Sequence, residues 1–371
     1  MKDFTIASKV IFDTSLREYF SQSPYQRAMI VADPMMVQLG FVDQISSQFH
    51  QTDKAFLLFD AITPDPTVET IGEGVWQMNQ FQPDCLIAIG GGSAIDAAKG
   101  MILANYKLSA AYQKPDFIAI PSTSGTGSEV TSFTVITNSN DKKPYVDQRL
   151  VPEVAILDVD LVKTVPAKIT ADTGMDVLTH ALEAYVSTNA STFTDALAEK
   201  TVQLVFEKLI EVFQHPDNLS ARQKMHEASA LAGMAFTNSS LGINHSLAHA
   251  IGGIHHLPHG RINALLLPAV IAYNAQSENG QKYCRLAKLL GLPAATTEEG
   301  TANLILAIEL LNEALEMEKS FSCFGISESV YQQAGETIAA FALQDDCTKT
   351  NPRAVTEEAL KEIYLSLYTK K

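Results

Sequence analysis

The chain has 371 residues, 46 % hydrophobic and 19 % charged, with 20 Gly and 15 Pro. That profile suits a globular protein of two domains, at roughly 100–200 residues each, and excludes a disordered, collagen-like or fibrous chain. Its 27 basic and 42 acidic residues leave a net charge of −15 and a pI near 5.0, so nucleic acid and anionic membrane are not expected partners, and a bound phosphate must meet local backbone donors.

In chain order, the first residues alternate apolar and polar side chains and lack the apolar core of a secretory signal. The richest apolar stretch, Ala264 to Tyr273, contains Pro268 and is half the length of the about 20 residues a transmembrane helix needs. A cytoplasmic protein is expected. Cys85, Cys284, Cys323 and Cys347 form no C-x-x-C pair, which argues against a disulfide framework or thiolate zinc site and reads as reduced packing residues.

From Ala28 to about Leu157 the apolar runs AMIVA, KAFLLF, CLIAI, FIAIP and VAILD alternate with helical-looking segments, which predicts a parallel sheet wrapped by helices. CLIAI and FIAI are continuously apolar, as strands buried on both faces require. After Pro166 the strand signals stop, and segments such as LTHALEAYV and EALEMEKS predict an all-helical half. The expected organisation is an α/β domain over residues 1–166 and a helical domain over 167–371, divided at VPAKITADTG. Trp76 and the pair Met35–Met36 are expected in the core.

Gly90, Gly91 and Gly92 follow CLIAI and precede a helix expected to start near Ser93. Such a turn lets the backbone approach a pyrophosphate at a helix N-terminus; a tight turn capped by Ser93 is the plainer alternative. The run is not G-x-G-x-x-G and lacks the acidic residue about 20 positions downstream, so an ordinary Rossmann site is not expected. A second loop, PSTSGTGSEVT from Pro121 to Thr131, offers the hydroxyls of Ser122, Thr123, Ser124 and Thr126. Both loops leave the carboxyl ends of neighbouring predicted strands, where open α/β sheets bind ligands. Asp33 reads equally as an acceptor for ribose hydroxyls and as a helix cap ahead of Pro34.

In the helical half Asp176 and His180 lie four apart on one helix face and can reach one ion. NHSLAHAIGGIHHLPHG adds His245, His249, His255, His256 and His259, five of the nine histidines within fifteen residues. One Asp with several His suits Zn²⁺, Fe²⁺ or a similar divalent ion. The adjacent His255 and His256 point different ways, so at most one faces such a site. Glu183, on the turn after His180, reads as part of a solvated face.

Together GGGSAIDAAK, PSTSGTGSEVT, TADTGMDVLTHALEAY and HSLAHAIGGIHHLPHG resemble the iron-containing alcohol dehydrogenase family, over nearly the entire chain. ITPDPT, FTDALAEK, KMHEASALAGMAF and TNPRAVTEEAL look most like the 1-propanol dehydrogenases of propanediol-utilisation microcompartments. The resemblance implies an α/β N-terminal dinucleotide-binding domain and an all-α C-terminal metal-binding domain, the dehydroquinate synthase-like fold. It places the metal ligands on Asp176, His180, His245 and His259, with Fe²⁺ expected and Zn²⁺ the alternative. His249 matches a further histidine near the nicotinamide, suited to passing a proton. Cofactor contacts fall on Asp33, Gly91, Gly92, Ser93, Asp96, Thr123, Thr126 and Lys142, with Lys143 a rival for the last; Asp65 stands where several relatives carry Asn. The implied activity is NAD(H)-linked interconversion of short-chain primary alcohols and aldehydes, propanal to 1-propanol foremost, by a homo-oligomer with microcompartment shell or lumen proteins as further partners. The alternatives are a zinc-dependent glycerol or diol dehydrogenase and a non-catalytic nucleotide- or metal-binding sensor.

Overall fold

The computed structural model describes residues 3–138 and 141–369, without the side chains of Asn138, Asp141 and Lys142. It divides into two units, Thr5–Thr164 and Val165–Lys371, the latter joined by the N-terminal residues through Phe4.

The first unit contains strands β1 (Lys9–Phe12), β2 (Arg27–Ala32), β3 (Ala55–Phe59), β4 (Cys85–Gly90), β5 (Asp116–Pro121), β6 (Phe133–Asn138), β7 (Asp141–Val146) and β8 (Val154–Leu157). Its helices are α1 (Leu16–Ser21), α2 (Pro34–Gln38), α3 (Phe41–Gln51), α4 (Val68–Phe81), α5 (Gly92–Leu108) and α6 (Val159–Val162). A parallel sheet runs β1-β8-β5-β4-β2-β3, and β6 and β7 pair as an antiparallel hairpin. The five apolar runs are β2, β3, β4, β5 and β8. Their continuous hydrophobicity has a direct cause, because successive side chains enter two cores. Met29, Val31, Leu86, Ala88, Phe117 and Ala119 pack with Ile71, Val75 and Met101, while Ala28, Ile30, Ile87, Ile89 and Ile118 pack with Leu16, Ile45 and Phe49.

The chain passes from β2 out to β3 and then returns across β2 to β4, so the carboxyl ends of β2 and β4 form the switch point at which such sheets bind ligands. Ala32 pairs with Ile89, which sets Asp33 beside Gly90, and Gly90 pairs with Pro121. Both glycine and hydroxyl loops therefore start at one edge.

The second unit is helical: α7 (Ala167–Val186), α8 (Thr192–Gln214), α9 (Leu219–Ser239), α10 (Ile243–His255), α11 (His259–Asn274), α12 (Lys282–Leu289), α13 (Thr297–Ala314), α14 (Glu328–Gln344) and α15 (Glu357–Ser366). EALEMEKS is mostly not helix. α13 ends at Ala314, Met317 N–H returns to the Asn312 carbonyl, and Glu316 takes a left-handed conformation with φ 55°, a turn that closes the helix. Among the described residues no helix is long and apolar enough to cross a membrane.

Trp76 and Met35 are not core residues: they are 66 % and 54 % exposed. α4 turns Ile71, Val75 and Met78 inward, and Trp76, about 100° further round than Val75, faces out. Met36 is buried, as expected. The cysteines are all free; Cys85, Cys284 and Cys347 are buried, whereas Cys323 is exposed.

Candidate active site

α7 is buried almost all round, from Gly174 to Val186. It presents Asp176 and His180 one turn apart. α10 presents His245 and His249 one turn apart, and α11 opens with His259. The next residue explains how α11 comes so close to α7: a Cβ on Gly260 would lie 2.0 Å from the Asp172 carbonyl oxygen. Only glycine permits that approach, one turn from Asp176.

Asp176 Oδ1 lies 4.0 Å from His180 Nε2 and 3.5 Å from the Nε2 atoms of both His245 and His259. The donor atoms of Asp176, His180 and His245 are within 4.8 Å of one another. Asn263, one turn along α11 from His259, donates through Nδ2 to Asp176 Oδ1 at 2.7 Å and His259 Nε2 at 3.0 Å, and itself accepts from Asn244 Nδ2 at 2.9 Å. His180 stacks between Phe236 and His245, each 4.5 Å away. A carboxylate oxygen and three imidazole nitrogens gathered in this buried site make the nitrogen/oxygen donor set that fits a divalent ion.

The electrostatics match that reading. Burial opposes ionisation of Asp176, yet His180, His259 and His245 hold its carboxyl well below the usual range. Burial lowers His245, but Glu183 and Asp176 overcome it and raise the ring to about 9. Burial and the rings of His245, His249 and His180 push His259 down, a shift that solvent moderates because its side chain is 39 % exposed.

Glu183 is not on a solvated face. It is 3 % exposed, because α7 is buried on every side from Gly174 onward. Its Oε2 accepts from His245 Nδ1 at 2.5 Å and its Oε1 from the Asn244 main-chain N–H at 2.7 Å.

His249 Nδ1 bonds Asp345 Oδ2 at 2.8 Å, and the ring stacks 5.4 Å from His259. Asp345 Oδ1 in turn accepts from the Cys347 N–H at 2.8 Å. Despite burial, the His249 bond keeps the Asp345 carboxyl well below its ordinary range. Sequence reading missed Asp345, a lone acid 96 positions from its histidine, and Asn263; neither sits in a pattern that signals its neighbour. Neither His255 nor His256 joins the cluster. His255 Nε2 bonds the Tyr364 hydroxyl at 2.9 Å, and His256 closes α10 in a left-handed conformation.

In the α/β unit, Asp33 Oδ1 caps α2 by accepting from the Met36 N–H at 3.0 Å. Its Oδ2 faces Gly90, where φ is +148° and an added Cβ would come within 2.4 Å of that oxygen. α5 starts at Gly92 with Gly91 as cap, one residue before the expected start, and Ser93 is not the cap. Ser93 Oγ instead accepts from the Asp65 N–H at 3.4 Å. Cβ atoms added to Gly91 and Gly92 would lie 3.9 Å from Thr123 and 3.0 Å from Thr126, so the two loops adjoin.

Asp96 is turned toward the second loop, its oxygens accepting from Ser128 Oγ at 2.9 Å and the Val135 N–H at 3.3 Å. Sequence reading also missed Lys99. Fully buried, its ammonium lies 2.6–3.2 Å from five oxygens of Ser128, Thr131 and Phe133, and so clamps that loop. Burial pulls Lys99 down to about 8, and raises Asp96 to about 6 and Glu129 to about 7. Lys142 is in β7, but its side chain lies outside the described residues; Lys143 pairs with Ile136 in the hairpin.

Residues 8–159 match the family described as iron-containing alcohol dehydrogenase, and residues 170–368 match its C-terminal counterpart, the Fe-containing alcohol dehydrogenase family, C-terminal. The chain belongs to the iron-containing alcohol dehydrogenase family. A 1-propanol dehydrogenase of Citrobacter freundii is 41 % identical, covering 98 % of this chain and 99 % of that protein. An NADPH-dependent butanol dehydrogenase of Clostridium saccharobutylicum is 38 % identical over 99 % and 98 % of the two chains. An aldehyde-alcohol dehydrogenase of Streptococcus pneumoniae is 40 % identical over 99 % of this chain, but the chain spans only 46 % of that relative's length. Among solved structures, a 1,3-propanediol oxidoreductase superposes with a TM-score of 0.91 at 31 % identity, over 99 % of this chain and 100 % of the other. The fold is thus that of iron-containing alcohol dehydrogenases, an α/β unit followed by a helical one.

Proposed function

We propose that this chain is a metal-dependent, NAD(H)-linked dehydrogenase of short primary alcohols and aldehydes, working chiefly from propanal to 1-propanol. The observation that carries the reading is the convergence of the partly exposed His259 on the buried Asp176, His180 and His245, the residues that would hold Fe²⁺ or, alternatively, Zn²⁺. When bound, such an ion supplies Lewis acidity at a carbonyl oxygen and a dihydronicotinamide supplies hydride to the carbonyl carbon.

The chain's own residues do the rest. Gly91, Gly92 and Ser93 offer the open N–H groups of α5 to a pyrophosphate, with the Thr123 and Thr126 hydroxyls beside them. Asp33 keeps Oδ2 to accept ribose hydroxyls, and its charge disfavours a 2′-phosphate. Asp96 and Lys99 hold the second loop in shape, and Lys142 is a further cofactor contact. With its Nδ1–H donated in a hydrogen bond to Asp345, His249 keeps Nε2 to pass a proton toward the product oxygen. We further propose a homo-oligomer enclosed with microcompartment shell or lumen proteins. Light scattering and co-fractionation with purified compartments test those two points.

A second reading, a diol dehydrogenase, is favoured by the likeness to 1,3-propanediol oxidoreductase. One methylene in an apolar pocket changes discrimination by about 1–3 kcal/mol, so ethanal and butanal should react within ~10–200-fold of propanal. The deciding experiment is kcat/KM for ethanal, propanal, butanal, glyceraldehyde and lactaldehyde, each with NADH and NADPH. The reading expects a maximum at propanal with NADH. A maximum on a hydroxylated aldehyde transfers it to a diol dehydrogenase, equal use of NADPH reduces Asp33 to a helix cap, and no turnover of any aldehyde leaves a sensor.

A further inference from the structure

Asp176, His180 and Glu183 occupy positions i, i+4 and i+7 of α7 and so share one face. Asp176 meets the inner edge of the His245 ring, on which Nε2 lies 3.5 Å from its Oδ1, while His180 stacks on the face of that ring. Glu183 meets the outer edge, with Oε2 2.5 Å from Nδ1. A neutral imidazole carries a single proton, on one nitrogen or the other. Facing a carboxylate, that proton belongs on Nδ1, which leaves the Nε2 lone pair directed at Asp176 and His259.

The second oxygen of Glu183 makes the arrangement rigid. Oε1 accepts from the main-chain N–H of Asn244, the residue before His245, at 2.7 Å. Both oxygens of one buried side chain therefore accept from fixed donors on one stretch of α10. Only a carboxylate can do this: an amide has one acceptor and one donor end.

We propose that Glu183 is a positioning residue that fixes His245 in its metal-ligating tautomer, by accepting the Nδ1 proton while bound to the Asn244 main chain. This rests on the reading that Asp176, His180, His245 and His259 hold a divalent ion. In Glu183→Gln the amide oxygen must choose between two donors. The Asn244 N–H cannot move its proton, whereas His245 can, so the amide oxygen stays with Asn244 and the NH₂ group faces Nδ1. His245 then carries its proton on Nε2 and loses the lone pair that would ligate. Outer partners of this kind change metal affinity about 10–100-fold.

Co²⁺ titration of metal-free protein, read by the visible absorption of the bound ion, tests this without any turnover. We expect the unmodified chain to bind one Co²⁺, Glu183→Gln to bind it about 10–100-fold more weakly, and Glu183→Asp, which keeps both acceptors, to fall between them. A role in filling space predicts the reverse order, because Gln matches Glu in shape and Asp leaves a hole. Glu183→Gln binding as tightly as the unmodified chain, or more tightly than Glu183→Asp, overturns the proposal. Should Glu183→Gln not fold, ¹⁵N-histidine NMR of the unmodified protein loaded with Zn²⁺ decides it: a proton on His245 Nδ1 is expected, and its absence overturns the proposal. The underlying metal reading fails separately, if the unmodified chain binds no Co²⁺ or if Asp176→Asn binds it unchanged.

Discussion

His249 and His259 stack on one another, but their hydrogen bonds give them different work. His259 turns Nε2 toward Asp176, whereas His249 commits Nδ1 to Asp345. His249→Ala should therefore keep its metal and lose about 10²–10⁴-fold in kcat, the usual worth of a general acid–base group. Metal content and kcat measured on one preparation check this, and loss of both together makes His249 a ligand. A second residue, Glu129, is 1 % exposed, and its Oε1 has no hydrogen-bond partner among the described residues. Burial raises its carboxyl from 4.5 to about 7. Because the folded value is the higher one, the stability this group contributes is full below pH about 4.5 and is lost as pH rises through about 7. Glu129→Gln should thus gain on the unmodified protein by about 3 kcal/mol between those limits. Urea unfolding of both at pH 4.5 and 7.5 reads the difference, and a constant gap between them contradicts it.

At the scale of elements, α11 owes its position to Gly260. Helix propensity alone favours Ala over Gly by about 1 kcal/mol, so a surface glycine replaced by Ala would stabilise the helix. Here the methyl group would meet the Asp172 carbonyl of α7, and overpacking of this kind typically destabilises by about 1–3 kcal/mol. Gly260→Ala should therefore melt lower and retain less metal, since His259 rides on the displaced helix. An unchanged melting temperature would mean that α7 and α11 do not touch there. The same contrast shows what sequence can reveal. β2, β4 and β5 were legible because burial on two faces leaves an unbroken apolar run. β1 has only partly buried central residues and exposed ends, and the β7 strand DKKPYV is largely polar, so neither carries that signal. Asp176 and His180 were legible because the helix repeat brings them together. Glu183, Asp345 and Asn263 act on residues of other elements, a relation no local pattern records. Lys99 stands in an ordinary helical context, and only the fold brings the second loop onto its ammonium.

For the molecule as a whole, the helical unit gathers a carboxylate and several imidazoles in a place where, without a cation, they must be balanced by protons and by the Asn263 amide. Metal bound to the folded state alone stabilises it by about 2.7 kcal/mol at a free concentration one hundred times Kd. Removal by a chelator should therefore lower the melting temperature of the unmodified protein and leave that of Asp176→Asn unchanged; an equal drop in both would place the bound metal elsewhere. In the function proposed above, Asp176, His180, His245 and His259 form a single metal centre on which turnover depends. Its most direct test is elemental analysis of the purified unmodified protein beside His259→Ala, with propanal reduction assayed on the same samples. About one divalent ion per unmodified chain is expected, with loss of both metal and turnover in His259→Ala, since removing one ligand undoes the site. Full metal occupancy with unchanged turnover in His259→Ala would contradict it.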